Sequence, residues 1–115
     1  LMAAQTPLVT VAELIEAQQL VQKVHVSPAL VDYVQALVQA TRDDPALVWG
    51  LSPRAALGLI AAGRAHAWLS GREMVIPEDV QAVFIAIASH RLLLRSSGRA
   101  DREQARRILI QVAIP

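Results

Sequence analysis

Three prolines constrain the fold of this chain more than any other feature. Pro28 and Pro53 each follow a serine, and Pro77 is followed by Glu78 and Asp79. Serine then proline reads as a helix N-cap with proline at the first helical position, where no intrahelical N–H bond is lost. Two acids after a proline suit the positive amino end of a helix dipole. Thr10-Val11-Ala12-Glu13 adds a capping box upstream, and Asp101 a cap downstream. Five helices are therefore expected: about 11–23, 28–42, 53–70, one opening at 77, and about 102–112. Asp43-Asp44-Pro45, Ser70-Gly71 and Ser96-Ser97-Gly98 separate them.

Apolar spacing fills in the faces. Val11, Leu14, Ile15, Val21 and Val24 recur at helical period in the first helix. Leu30, Val31, Val34, Leu37, Val38 and Thr41 form one face of the second. Gly58, Ala61, Ala62 and Ala65 give the third a face of small residues, open to close approach by another backbone. Val80, Val83, Phe84, Ile87 and Leu94 line the fourth, and Ala105, Ile108, Leu109 and Val112 the fifth. Residues 24–26 and 74–76 are short apolar extensions, each leading into a proline-started helix. Lone strands leave their amides unpaired, so these two are predicted to pair in parallel. The fold class is mainly α: a small helical bundle of about five helices with a minimal two-stranded parallel β pairing.

Composition excludes several functions. The 115 residues are 54% hydrophobic, enough for one core and one domain. With no cysteine there is no disulfide framework and no thiolate chemistry. Net charge is +1 and four residues are aromatic, which speaks against a whole-domain nucleic-acid binder or a base-stacking platform. No apolar run approaches the ~20 residues of a membrane span, and Leu1–Pro7 shows no secretory signal, so a cytoplasmic location is expected. No nucleophile–base pair and no phosphate-binding glycine loop is present. The three histidines have no ligand spacing, so no metal site and no catalytic residue is expected in the chain alone. Asp43-Asp44 reads as a turn, and Glu78-Asp79 as capping.

Arg54 carries the most information. It falls at the second position of the third helix, after Ser52 and Pro53, where a cation meets an unfavourable dipole. Either its long side chain escapes into solvent, which chemistry alone favours, or an anion arrives to join helix amides and guanidinium. The basic segment is the second feature. Across 91–107, Arg91, Arg95, Arg99, Arg102, Arg106 and Arg107 against two acids give +4, and the rest of the chain carries −3. This is either a solvated face or a surface for an anionic partner. Trp49 is expected to pack under its own loop, the alternative being an interface anchor.

The order Val24-His25-Val26-Ser27-Pro28, Thr41-Arg42, Gly50-Leu51-Ser52-Pro53-Arg54-Ala55, Pro77-Glu78-Asp79-Val80 and His90-Arg91-Leu92 resembles the C-terminal lid domain of MoxR-type AAA+ ATPases. The likeness covers roughly residues 8–115, with Ser-Pro-Arg-Ala its most specific part; the closing Val112–Pro115 is similar too. Leu51 stands where small residues are usual in that family, and Ile76 where a Thr or Ser cap is common. The resemblance implies a linker over 1–9 from a missing ATPase core and a lid over 10–115. It makes Arg54 the sensor-2 arginine that reaches the γ-phosphate of ATP, with Ser52 and Pro53 supporting it. It implies ATP and Mg²⁺ in the full-length protein and none in the isolated domain. The partners implied are the chain's own AAA+ core, neighbouring subunits of a ring, commonly hexameric, and often a von Willebrand A-domain protein, in chaperone-like maturation of clients. The alternative is a helical nucleic-acid-binding or protein-interaction module using 91–107; the near-neutral total charge argues against nucleic acid.

Overall fold

The computed structural model describes residues 9–115. The linker expected over 1–9 thus lies, apart from Val9, outside the described residues. Among the described residues there are five helices: α1 (Val11–Gln22), α2 (Pro28–Asp43), α3 (Ala55–Leu69), α4 (Pro77–Arg91) and α5 (Arg102–Gln111). Their starts follow the expected chemistry. Thr10 Oγ1 accepts from Glu13 N–H at 3.1 Å while Glu13 Oε1 accepts from Thr10 N–H at 3.1 Å. Ser27 Oγ accepts from Leu30 N–H, and the Asp101 carboxylate from Glu103 N–H.

The core is shared by α2, α3, α4 and α5. Leu37, Leu59, Val34, Val80, Phe84, Leu92 and Ile108 are fully buried in it. Tyr33 joins the buried face of α2, a position the apolar pattern did not include. Its hydroxyl explains the omission: Gln81 Nε2 donates to it at 3.3 Å, so the ring is buried with its polar end satisfied.

Two helices differ from expectation. Among the described residues α1 packs against α3 alone, and none of its residues is buried. It lies beside the small-residue face of α3, with Leu14, Ala17 and Val21 near Ala61, Ala65 and Trp68. Its other apolar residues stay exposed, because a lone helix seated on one neighbour covers one stripe only. The fourth helix ends at Arg91, so Leu94 is outside it. Residues 92–100 turn back through Gly98, whose φ of +70° suits a residue without Cβ. Leu94 instead faces Leu47 in an antiparallel bridge to the loop that follows α2, bonded through Leu93 O and Arg95 N–H, while its own N–H donates to Arg99 O.

The parallel pairing of 24–26 with 74–76 is present in reduced form. A single parallel bridge joins His25 and Met74. His25 N–H donates to Glu73 O at 2.8 Å, and Val75 N–H to His25 O at 2.9 Å. Arg64, on α3, reinforces it by donating from Nε to Val24 O at 3.1 Å. No helix among the described residues is long and apolar enough to cross a membrane.

Candidate functional site

Arg54 stands at the end of a loop held unusually tightly. Asp44 Oδ1 accepts from Ala46 N–H at 2.9 Å, and Asp44 Oδ2 from Gln104 Nε2 at 2.6 Å. Val48 N–H donates to Leu93 O, and Arg95 N–H to Ala46 O, each at 2.9 Å. Asp44 is thus more than a turn residue: it ties the loop to α5. The chain then presses Gly50 onto the last turn of α2. A Cβ there would lie 2.6 Å from Arg42 N and 2.7 Å from Thr41 C, and would also meet Arg42 Cα.

Leu51 follows and is buried in the core. Its N–H donates to Thr41 Oγ1 at 2.8 Å, and Thr41 Oγ1 donates onward to Val38 O at 2.6 Å. The leucine that departs from the family habit is therefore the loop's anchor. Thr41 is fully buried, so replacing it with valine keeps the shape and orphans Leu51 N–H. Thr41→Val is expected to lower stability by about 1–3 kcal/mol, read as a shifted urea midpoint with an unchanged slope.

The start of the third helix corrects the cap-and-proline expectation. Arg54, not Ser52, is the N-cap, in αR conformation, and among the described residues no side-chain cap bond is made there. Ala55, Ala56 and Leu57 N–H donate to Ser52, Pro53 and Arg54 O at 2.9, 3.2 and 3.1 Å. This is a tight i to i−3 turn. It occupies the amides that were expected to converge on an anion, so they are not free to join the guanidinium there. Arg54 is exposed, and among the described residues its side chain has no hydrogen bond and no acidic partner. Trp49, five residues earlier, is 76% exposed, which overturns its expected packing under the loop. Leu57 is exposed as well, so this corner shows an indole, a guanidinium and an isobutyl group within nine residues of chain.

A second cluster, at the other end of α3, went unread in the sequence. Asp79 is fully buried at the start of α4. Its Oδ2 accepts from Ile76 N–H at 2.9 Å, the reach-back of a capping box whose first residue cannot accept in return. Its Oδ1 accepts from His66 Nδ1 at 2.6 Å and also pairs with Arg72. Burial pushes this carboxyl up, but Ile76 N–H, the His66 ring and the Arg72 guanidinium outweigh it and hold it below the ordinary carboxylate range. The signal was present as Asp79 two residues after Pro77; that His66 and Arg72 converge on it depends on the α3–α4 packing.

The basic segment is spread over the end of α4, the 92–100 turn and α5. Arg95 donates from Nε to Pro45 O at 3.2 Å and so braces the loop that follows α2. Arg91, the last residue of α4, and Arg99, within the 92–100 turn, are exposed. Arg102 and Arg106 stand on α5, and among the described residues the one acidic contact of Arg106 is with Glu103, at 4.0 Å. Among the described residues no group of acids and histidines could hold a metal ion.

Comparison with known proteins agrees with this architecture. Residues 39–112 match the AAA lid domain family. Chaperone MoxR1 of Mycobacterium tuberculosis is 37% identical over 94% of this chain and 32% of its own length. Protein MoxR of Paracoccus denitrificans is 37% identical over 77% of this chain and 30% of its own. A crystal structure of a candidate ATPase from Cytophaga hutchinsonii superposes with a TM-score of 0.80 at 29% identity, over 90% of this chain and 36% of that one. The chain spans about a third of the length of these relatives.

Proposed function

This chain belongs to the AAA lid domain family, in its MoxR-type branch, and from that premise we propose that it is the nucleotide-sensing lid of an ATP-hydrolysing ring protein, with Arg54 as the sensor. The observation that carries the proposal is an exposed guanidinium without an acidic partner among the described residues, on a loop fixed at Gly50, Leu51 and Asp44. A phosphate fits such a group, which can donate two parallel bonds to an oxyanion. Ser52 and Pro53 serve by setting the tight turn beneath it. Bound ATP and its Mg²⁺ would supply the reacting phosphate and the main charge neutralisation, both held by the core.

Contact before hydrolysis and its loss afterwards would favour two orientations of the lid. The lid would turn as one body, because α2 to α5 share a single core. Trp49 and Leu57 would then face the core beside the nucleotide. The exposed arginines Arg91, Arg99, Arg102 and Arg106 would meet neighbouring subunits or an acidic partner, such as a von Willebrand A-domain protein, and the work done would be maturation of client proteins in the cytoplasm, where ATP is supplied.

In the full-length protein, Arg54→Ala is expected to cut ATP turnover about tenfold or more, equivalent to roughly 1.4 kcal/mol of lost contact. Arg54→Lys, which keeps the charge without the fork, should fall between. Unchanged turnover in Arg54→Ala removes the proposal.

A further inference from the structure

An open groove of about 920 Å³ runs along the seam between α4 and α5. Its floor is Ala82, Ile85 and Leu109, and Ile110 and Ile114 stand at its edge, 84% and 60% exposed. Ala82, Ile85 and Arg102 also line a second hollow reaching His90, so the trough continues along α4 from Glu78 to His90. The twelve helical steps from Glu78 to His90 make that length about 18 Å. The charges are polarised. Arg102 and Arg106, one turn apart on α5, mark one part, and Glu78 marks the other. Among the described residues Arg106 is held only by its 4.0 Å contact with the exposed Glu103, a pairing too loose to bind it firmly. Apolar walls with isoleucines in water suit a helix rather than a phosphate backbone.

A helix with the matching properties is exposed on the same chain. α1 has 12 residues, also about 18 Å. It touches only α3 among the described helices and leaves Val11 75% and Ile15 49% exposed, one turn apart on one stripe. Glu13 and Glu16 lie in its amino half, no basic residue occurs within it, and Lys23 follows its carboxyl end. Laid in the groove with its amino half over Arg102 and Arg106, it brings Lys23 toward Glu78. Length, apolar stripe and both ends of the charge pattern agree.

We infer that α1 of one copy docks in the α4–α5 groove of the next. The two surfaces are different, so the contact is head-to-tail, the kind that closes into a ring when its rotation permits. The inference gives the ring proposal its contacting surfaces and rests on that reading only for its setting. Arg54 takes no part in it, and the contact is measured without nucleotide.

The absence of cysteine makes the test direct. Ile15→Cys and Ile110→Cys chains, each altered at an exposed position, are mixed, mildly oxidised over a range of concentrations and separated on a non-reducing gel. The mixed 15–110 dimer is expected to exceed both same-site dimers and to grow with concentration. A chain carrying both cysteines should give a ladder of higher species. Adding Arg102→Glu and Arg106→Glu to the Ile110→Cys chain is expected to cut the mixed product about fivefold or more. Adding Glu13→Arg and Glu16→Arg to the Ile15→Cys chain should restore it, whereas Arg91→Glu should leave the yield alone. Circular dichroism checks that each chain is folded. Dominance of the 15–15 product would make α1 pair with itself. No mixed product would leave the groove to a foreign segment, and a yield indifferent to charge reversal would mean chance collision. Any of these overturns the inference, and none bears on the turnover of Arg54→Ala.

Discussion

Gly50→Ala is expected to lower the unfolding free energy by about 3 kcal/mol, a large change for one methyl group. The reason is the nature of the obstacle. The added carbon would lie 2.6 Å from Arg42 N and 2.7 Å from Thr41 C, both backbone atoms in the last turn of α2. A side chain could rotate away; a helix backbone cannot. The loop must lift instead, and lifting it breaks the Leu51 N–H bond to Thr41 Oγ1 and draws Leu51 from the core. Denaturant unfolding followed by circular dichroism measures the loss. Gly58→Ala is the control. That glycine sits in α3 with open space where its Cβ would be, so alanine there should be neutral or slightly stabilising. Equal behaviour of the two variants would mean that the close approach at Gly50 has no energetic weight.

Asp79→Asn is expected to cost a similar amount, about 3 kcal/mol near neutral pH. The carboxylate accepts from Ile76 N–H, His66 and Arg72 at once. An amide turns one of those acceptors into a donor and leaves the Arg72 charge without its partner. The same carboxylate gives stability a direction in pH. Its affinity for a proton is lower in the folded chain than in the unfolded one. Its contribution is therefore complete above the unfolded carboxylate value, about 3.9, and is lost as pH falls through the lower folded value. Unfolding free energies measured from about pH 6 down to about pH 2 should show that loss in the parent chain, and a shallower decline in Asp79→Asn. Parallel curves would assign the acid sensitivity to other carboxylates.

What the sequence revealed and concealed divides along a physical line. Helix starts were legible because capping is local: Thr10, Ser27 and Asp101 act on amides two or three residues away. The His25–Met74 bridge could be anticipated because unpaired amides must find partners and only two short extensions were present. Arg54 was legible as an oddity, a cation at the wrong end of a helix. Its surroundings were not. The tight turn that occupies the α3 amides, Asp44 meeting Gln104 sixty residues away, and Arg95 bracing Pro45 O all depend on which elements pack together. Asp79 shows the same division within one side chain. Its bond to Ile76 is local and fits the capping reading, whereas its bonds to His66 and Arg72 come from tertiary structure. Trp49 was misjudged because burying an indole is the usual outcome, and nothing local marks an indole left in water.

α3 carries Arg54 at its amino end and is clamped to α4 near its carboxyl end through His66 and Asp79. Fifteen residues make it a rod of about 22 Å. Ala56, Leu59, Gly63 and Ala67 are buried along its whole length, so the rod cannot tilt by itself. A pull on the guanidinium would instead act as leverage on the entire bundle: about 2 Å of travel at the amino end, about 22 Å from the buried aspartate, would amount to about 5° of rotation of everything bolted to that rod.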